Sequence, residues 1–383
     1  MIYPINIHSQ DDLQKVCARI GSDPRALAYL SPKANVLHFF ADKIDYRAAA
    51  FLKQELLARG GDTIVTKHVI DGKSESSDVL LMATRSQLRS LLEKLKAMDF
   101  WGIKEFREEL AACVRNININ EWRITDKLIL NHETKLMAIM NLTPDSFYEA
   151  SRVQEHEILL RAEKFLSEGA AILDVGAEST RPGAKTVTEA DELERLLPAL
   201  RVLRKSFPEA VISVDTYKSN VARIAISEGA DIINDISGFE YDSEMPRVIA
   251  ESKIPYVLSH IKGTPENPAS YENLLSEMTL YFAEKLNALE AAGVKRENII
   301  LDPGIGFGKS ENDCYEIIKN LVSFKIFGLP IMIGHSRKRL TGKTLSGTLA
   351  LTAMLYGRAN LLRVHDVAEN LQALSMAASI AGV

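Results

Sequence analysis

The chain has 383 residues, 46% hydrophobic and 25% charged, with a formal net charge of −5. That length suits two or more domains at about 100–200 residues each, and the composition is that of an ordinary globular protein. The negative balance excludes a general nucleic-acid binder, which would be basic, and no apolar run approaches the ~20 residues that span a bilayer.

Three cysteines, Cys17, Cys113 and Cys314, form neither a C-x-x-C pair nor a zinc spacing. With no basic and apolar leader in MIYPINIHSQ, the expected location is the cytoplasm. Residues 1–115 read as a small α/β domain of unknown role. VLHFFAD (36–42) predicts a strand, DYRAAAFLKQELLARGG (45–61) an amphipathic helix and DTIVTKHV (62–69) a second strand. VLLMA (79–83) predicts a third strand, with helices after it over 87–98 and 103–114. No catalytic constellation stands out there, so a structural or oligomerisation module is expected. Residues 116–135 alternate in ININEWRITDKLIL and predict a β-hairpin that plugs the base of the C-terminal domain.

From Leu136 to Val383 short apolar runs alternate with amphipathic helical stretches. The runs are LMAIMN (136–141), AAILDVG (170–176), AVISVD (210–215), ADIIND (230–235), PYVLSH (255–260), NIILDP (298–303), PIMIGH (330–335) and LLRVHD (361–366). Nearly continuous apolar runs suit parallel strands buried on both faces. Gly169 and Gly229 fall where helix C-caps belong, and Thr188 with Glu189 and Asp191 marks a helix start. Eight such strand–helix repeats predict a (β/α)8 TIM barrel over 136–383, preceded by the small N-terminal α/β domain. The polar strand stops Asn141, Asp174, Asp215, Asn234, His260, Asp302, Ser336 and His365 would then gather at one mouth.

At that mouth, Asn141 in NLTPDSF suits a hard cation or a phosphate oxygen, or else a turn. DVGAESTRPG carries Thr180 and Arg181 on a long loop, where an arginine clamps an anion or is simply solvated. Asp215, Asn234 and Asp302 present acceptors and a donor to a flat heterocycle with several N–H groups. GIGFGKS imitates a P-loop, but Pro303 stands at its first glycine position and it comes after the sixth strand, so a Walker A reading is rejected. Ser336, Arg337, Lys338 and Arg339 predict a dense positive site, joined by Arg363 and His365 from the last strand. No histidine cluster has zinc spacing.

Taken in order, NLTPDSF, DVGAESTRPG, SVDT, IINDIS, HIKG, DPGIGFGK, SRK and RVHDV resemble the motifs of the dihydropteroate synthases, transferases of folate biosynthesis and targets of sulfonamides. The resemblance covers Leu136–Val383. It implies a cytoplasmic, usually homodimeric barrel that joins 6-hydroxymethyl-7,8-dihydropterin diphosphate to p-aminobenzoate with Mg²⁺, giving 7,8-dihydropteroate and pyrophosphate by an SN1-like path. No nucleic acid or membrane takes part. It further implies that Asp215, Asn234, Asp302 and Lys338 hold the pterin. Asn141 would meet the metal and, with Arg363 and His365, the diphosphate. Phe147, Thr180, Arg181, Phe307 and Lys338 would frame the p-aminobenzoate side. Catalysis would fall to Asn141, Arg181, Lys338, Arg363 and His365. The chain departs from the family in a glycine-poor first loop, SFYEASRVQ, in Ala177, and in Ser259 before His260. Corrinoid methyltransferases and a pterin-binding paralogue without turnover share the barrel motifs. STRPG, SRK and RVHDV, which serve a diphosphate, argue against the methyltransferases.

Overall fold

A computed structural model of the chain describes residues 2–3, 5, 7, 10–142, 152–178, 187–263 and 267–381. Two compact units divide it, Met1–Arg115 and Asn116–Val383.

The first unit opens with helices α1 (Gln10–Ile20) and α2 (Leu27–Ala34), neither of which the apolar pattern predicts. Next come strand β1 (Val36–Asp45), helix α3 (Tyr46–Leu57), strands β2 (Asp62–Ile64) and β3 (Ser76–Thr84), and helices α4 (Arg85–Leu95) and α5 (Ile103–Asn116). The strands form an antiparallel sheet in the order β1-β3-β2. β1 outlasts its predicted end because it resumes pairing beyond an irregularity, Ile44 with Ser77 and Asp45 with Ser76. At that irregularity Lys43 adopts φ 53° and its N–H donates to Asp78 at 2.9 Å. The predicted strand over 62–69 is shorter. It ends at Ile64, Thr66 N–H donates to Ser77 Oγ at 2.9 Å, and Lys67–Val69 turn into a 3₁₀ helix. One sheet face is covered. Val79, Leu81 and Ala83 alternate along β3 and pack on Leu52, Leu56, Leu88, Leu91 and Leu95 of α3 and α4. The opposite face leaves Val36, Phe40 and Ile64 exposed, with Phe40 and Ile64 flanking Leu80 in register.

The second unit begins with a short hairpin, β4 (Trp122–Thr125) and β5 (Leu128–Leu130). Eight parallel strands succeed it: β6 (Lys135–Asn141), β7 (Ile172–Gly176), β8 (Val211–Asp215), β9 (Ile232–Asp235), β10 (Tyr256–Ser259), β11 (Ile299–Asp302), β12 (Met332–Ile333) and β13 (Leu361–Val364). Their order is β11-β10-β9-β8-β7-β6-β13-β12. The seam between β11 and β12 carries one parallel bridge, Leu301 to Ile331, beside a Leu301 N–H to Pro330 carbonyl bond of 2.9 Å. Around this nearly closed ring lie α6 (Arg152–Ser167), α7 (Glu189–Ser206), α8 (Ser219–Ser227), α9 (Met245–Ser252), α10 (Leu274–Ala291), α11 (Glu311–Lys319), α12 (Leu345–Leu355) and α13 (Val367–Ala381). Thr188 caps α7, its hydroxyl accepting the Asp191 N–H at 3.2 Å. No helix among the described residues is long and apolar enough to cross a membrane.

The barrel interior is layered. Met137, Ile172, Val211, Ile232, Val257, Ile300, Met332 and Leu361, one per strand, share a cluster with the hairpin's Ile124, Leu128 and Leu130. This layer is apolar because nothing polar could find a partner there. Leu130 is fully buried in it, while Ile129, pointing the other way on the same strand, is 39% exposed. Leu130→Ala is therefore expected to cost about 2–5 kcal/mol in urea denaturation, and Ile129→Ala about 1 kcal/mol or less. Similar losses at the two positions would mean that the hairpin does not bury this face.

Candidate active site

The apolar layer dictates the layer above it. Strand side chains alternate faces, so the residue two positions further on points into the same interior. Those residues are Ile139, Asp174, Ser213, Asn234, Ser259, Asp302, Gly334 and Arg363. The barrel therefore changes within one step from an oily floor to a polar ring. A further step up, Asn141, Gly176 and Asp215 stand abreast, Asn141 paired with Gly176 and Gly176 with Asp215.

Arg363 spans the ring. Its Nε donates to Asp174 Oδ2 at 2.5 Å and its Nη2 to Asp215 Oδ2 at 2.6 Å. Asp174, fully buried, also accepts from Asn234 Nδ2 at 3.2 Å. With its amide nitrogen so engaged, Asn234 turns Oδ1 toward the interior. Among the described residues that oxygen has no partner, and neither have the buried hydroxyls of Ser213 and Ser259. An unpaired buried polar group costs about 1–3 kcal/mol, so this ring is built to be completed by a ligand that offers N–H donors.

The electrostatics are set by burial. The Asp215 carboxyl is pushed up to about 7, chiefly by desolvation; Asp174 adds to the rise and Arg363 opposes it. Asp302 is raised for the same reason, with Lys338 pulling it back. Lys338 falls to about 8 through burial, against the attraction of Asp302. Burial alone would lower Arg363, but Asp174 and Asp215 outweigh it and hold the guanidinium charged. His260 drops to about 3 by burial, with Lys309 adding to the fall, and is neutral.

The other expected residues divide between the mouth and the outer surface. Lys338 turns inward, donating to the Ile305 carbonyl, with Nζ 4.3 Å from the Phe307 ring centroid. His365 Nδ1 lies 3.0 Å from Ser336 Oγ. Half-buried Asn141 ends β6 at the rim. Phe147, Thr180 and Arg181 lie outside the described residues. The expected dense cation cluster is corrected. Arg337 points outward and pairs with Asp366 at 3.0 Å, and Arg339 pairs with Glu311 at 2.9 Å. Lys338 alone of the three faces the ring, because consecutive residues cannot share one direction. Asp174 is likewise no strand stop, since β7 continues to Gly176.

Sequence reasoning placed Asp174 at the mouth without giving it a partner or ligand, and it assigned no role to Ser213 or Lys309. For Ser213 a signal existed, since it lies two residues beyond the inward apolar Val211. It also missed a buried ion cluster, Lys218 Nζ with Glu178 at 2.5 Å and Glu192 at 2.6 Å. Glu178 also accepts the Val187 N–H at 3.2 Å. One carboxylate thereby ties together the two residues that flank 179–186.

Residues 137–379 match the family model described as pterin binding enzyme. A Halobacterium salinarum protein named as a probable bifunctional folylpolyglutamate synthase/dihydropteroate synthase is 35% identical over 97% of this chain. The chain spans 46% of that relative, about half its length. A Helicobacter pylori protein named bifunctional dihydropteroate synthase/dihydropteroate reductase is 32% identical over 97% of each chain. Among solved structures, Xanthomonas albilineans dihydropteroate synthase with 4-aminobenzoic acid superposes with TM-score 0.63 at 33% identity, over 70% of this chain and all of that one.

The raised Asp215 value has a sign that can be measured. The folded state keeps a proton that the unfolded chain releases near the ordinary carboxylate range, so this contribution is full at low pH and is lost as pH rises toward 7. Between about pH 5 and about pH 7.5, wild-type stability in urea should fall more than that of Asp215→Asn. Equal falls would assign the titration to another group.

Proposed function

Because this chain belongs to the pterin-binding enzyme family, we propose that it is a dihydropteroate synthase, condensing 6-hydroxymethyl-7,8-dihydropterin diphosphate with p-aminobenzoate. The observation that carries the proposal is the acceptor-rich polar ring, with Asn234 Oδ1 unpartnered, inside the stretch that matches the family model. A pterin presents ring N–H and amino donors along one edge, and Asn234, Asp302 and Asp215 are the acceptors for them. Lys338 supplies a donor to the same ring system and closes on Phe307.

The bond to be broken joins the pterin methylene carbon to a diphosphate oxygen. The electron-rich pterin stabilises a cationic methylene, so the path we propose is SN1-like. Stabilising the departing diphosphate is then the main demand on the protein. Asn141 and His365 at the rim and Arg363 in the ring below it take that role, while Thr180 and Arg181 belong by the family resemblance to the p-aminobenzoate side. The amine of p-aminobenzoate is already nucleophilic, so positioning against the methylene suffices and no strong base is needed.

Magnesium fits the donor set at the rim. Asn141 offers one amide oxygen, and among the described residues no group of three His, Cys, Asp or Glu could cage a metal alone. Magnesium is commonly held by one or two protein groups together with substrate phosphates. Bound there, it would neutralise charge on the leaving group.

A second activity is favoured by the comparison that spans the chain. The Helicobacter relative aligned over 97% of both chains is named for a reductase as well as a synthase, whereas the family model leaves residues 1–136 unmatched. We propose that this chain also reduces 7,8-dihydropteroate, with residues 1–115 contributing, in preference to a purely structural role for them. The step adds a hydride and a proton across the remaining C=N of the reduced ring, so it requires a hydride donor such as a reduced nicotinamide or flavin.

Pyrophosphate release and dihydropteroate formation test the first reading, measured with and without Mg²⁺. Product that requires p-aminobenzoate and metal is expected; pterin binding without any product would leave only a binding protein. Lys338→Ala should lower kcat/KM for both substrates by about tenfold or more, and unchanged kinetics would remove Lys338 from the site. For the second reading, full-length protein given 7,8-dihydropteroate with reduced nicotinamide and flavin should form the tetrahydro product. Failure with every donor would confine the chain to synthesis.

A further inference from the structure

Lys309 lies near the end of the loop that joins β11 to α11, and the proposed condensation gives it no part. It is 6% exposed, yet among the described residues it makes no ion pair. Its ammonium instead donates to three carbonyls, His260 at 3.1 Å, Gly304 at 3.0 Å and Phe307 at 3.2 Å. An ammonium has three donors, and all three are used. Burying an unpaired charge is costly, so backbone dipoles must be replacing water around it. Two of those carbonyls belong to the loop itself, and the third to the end of β10.

The loop is pressed close to that neighbour. A Cβ at Gly304 (φ +68°) would sit 2.0 Å from the His260 carbonyl oxygen, and one at Gly308 (φ +61°) 2.0 Å from that of Lys262. Only glycine allows both the turn and the approach. Between these clamps Phe307 is half-buried, its ring facing Lys338 Nζ. Lys338 holds the same loop from the other side through the Ile305 carbonyl. The backbone around Phe307 is thus fixed by two lysines, and its ring is presented to the mouth.

We propose that Lys309 is a positioning residue for the p-aminobenzoate side of the site, acting by holding Phe307 in place. The inference rests on the synthase reading. It is distinct from a general folding role because it predicts an effect on one substrate that travels through one side chain.

Steady-state kinetics of the full chain would compare wild type, Lys309→Met, Phe307→Ala and the double variant, each with both substrates. Lys309→Met should raise KM for p-aminobenzoate about tenfold while KM for the pterin diphosphate and kcat stay within about twofold. In the Phe307→Ala background the same change should have almost no further effect, because coupled residues are not additive. Equal rises in both KM values, or full additivity in the double variant, would overturn the proposal. Should Lys309→Met fail to fold, Lys309→Gln retains two donors and takes its place. Loss of pterin affinity in both by calorimetry would make Lys309 a folding residue and nothing more. Wild-type protein that forms no dihydropteroate at all would instead overturn the synthase reading, and this inference with it.

Discussion

Arg363 sits between two buried carboxylates, and much of the barrel is arranged around that fact. Its partners come from β7 and β8, whereas Arg363 itself is on β13. Removing the guanidinium would leave Asp174 and Asp215 side by side in a dry interior, a situation that costs far more than the pair contributes. Asp174 in turn decides how Asn234 is oriented, because it accepts the amide nitrogen and leaves the amide oxygen facing inward. One ionic arrangement thus sets the donor and acceptor pattern that a ligand meets.

The barrel was largely legible because parallel strands buried on both faces must be apolar almost throughout, and such runs repeat at helix-length intervals. Asn234, Asp302 and Asp215 could be recognised for the same reason, as polar residues at the end of apolar runs. Their connections could not. Arg363 and Asp174 are separated by 189 positions, and nothing local to either marks the other. The basic run at 336–339 misled because charge density along the chain says nothing about direction. Arg337 and Arg339 find surface carboxylates while Lys338 alone turns inward. Lys309 was invisible for a further reason: its partners are backbone carbonyls, which every residue carries.

The N-terminal unit was harder to read. Its three strands and the helices α3–α5 can be traced by alternation and amphipathic spacing, but α1 and α2 lie in stretches too mixed in character to signal a helix. No motif in it points to a chemistry. The reductase proposal rests instead on the name of a relative that aligns over 97% of this chain, because a fold can be inferred from periodicity where an activity cannot.

The two-residue strand β12 makes the ring uneven. Seven of its eight seams are strand pairings, whereas the eighth, to β11, is a single bridge. A hoop with one thin stave yields there first, since local opening begins where the fewest bonds must be given up. That seam separates the loop carrying Phe307 from the turn carrying Lys338, so the Lys338 bond to the Ile305 carbonyl is a side-chain clasp across the thinnest part of the wall. The far wall, holding Asp174 and Asn234, is paired strand to strand. The cup is thus closed by strand pairing on seven sides and by a single bridge and one lysine clasp on the eighth.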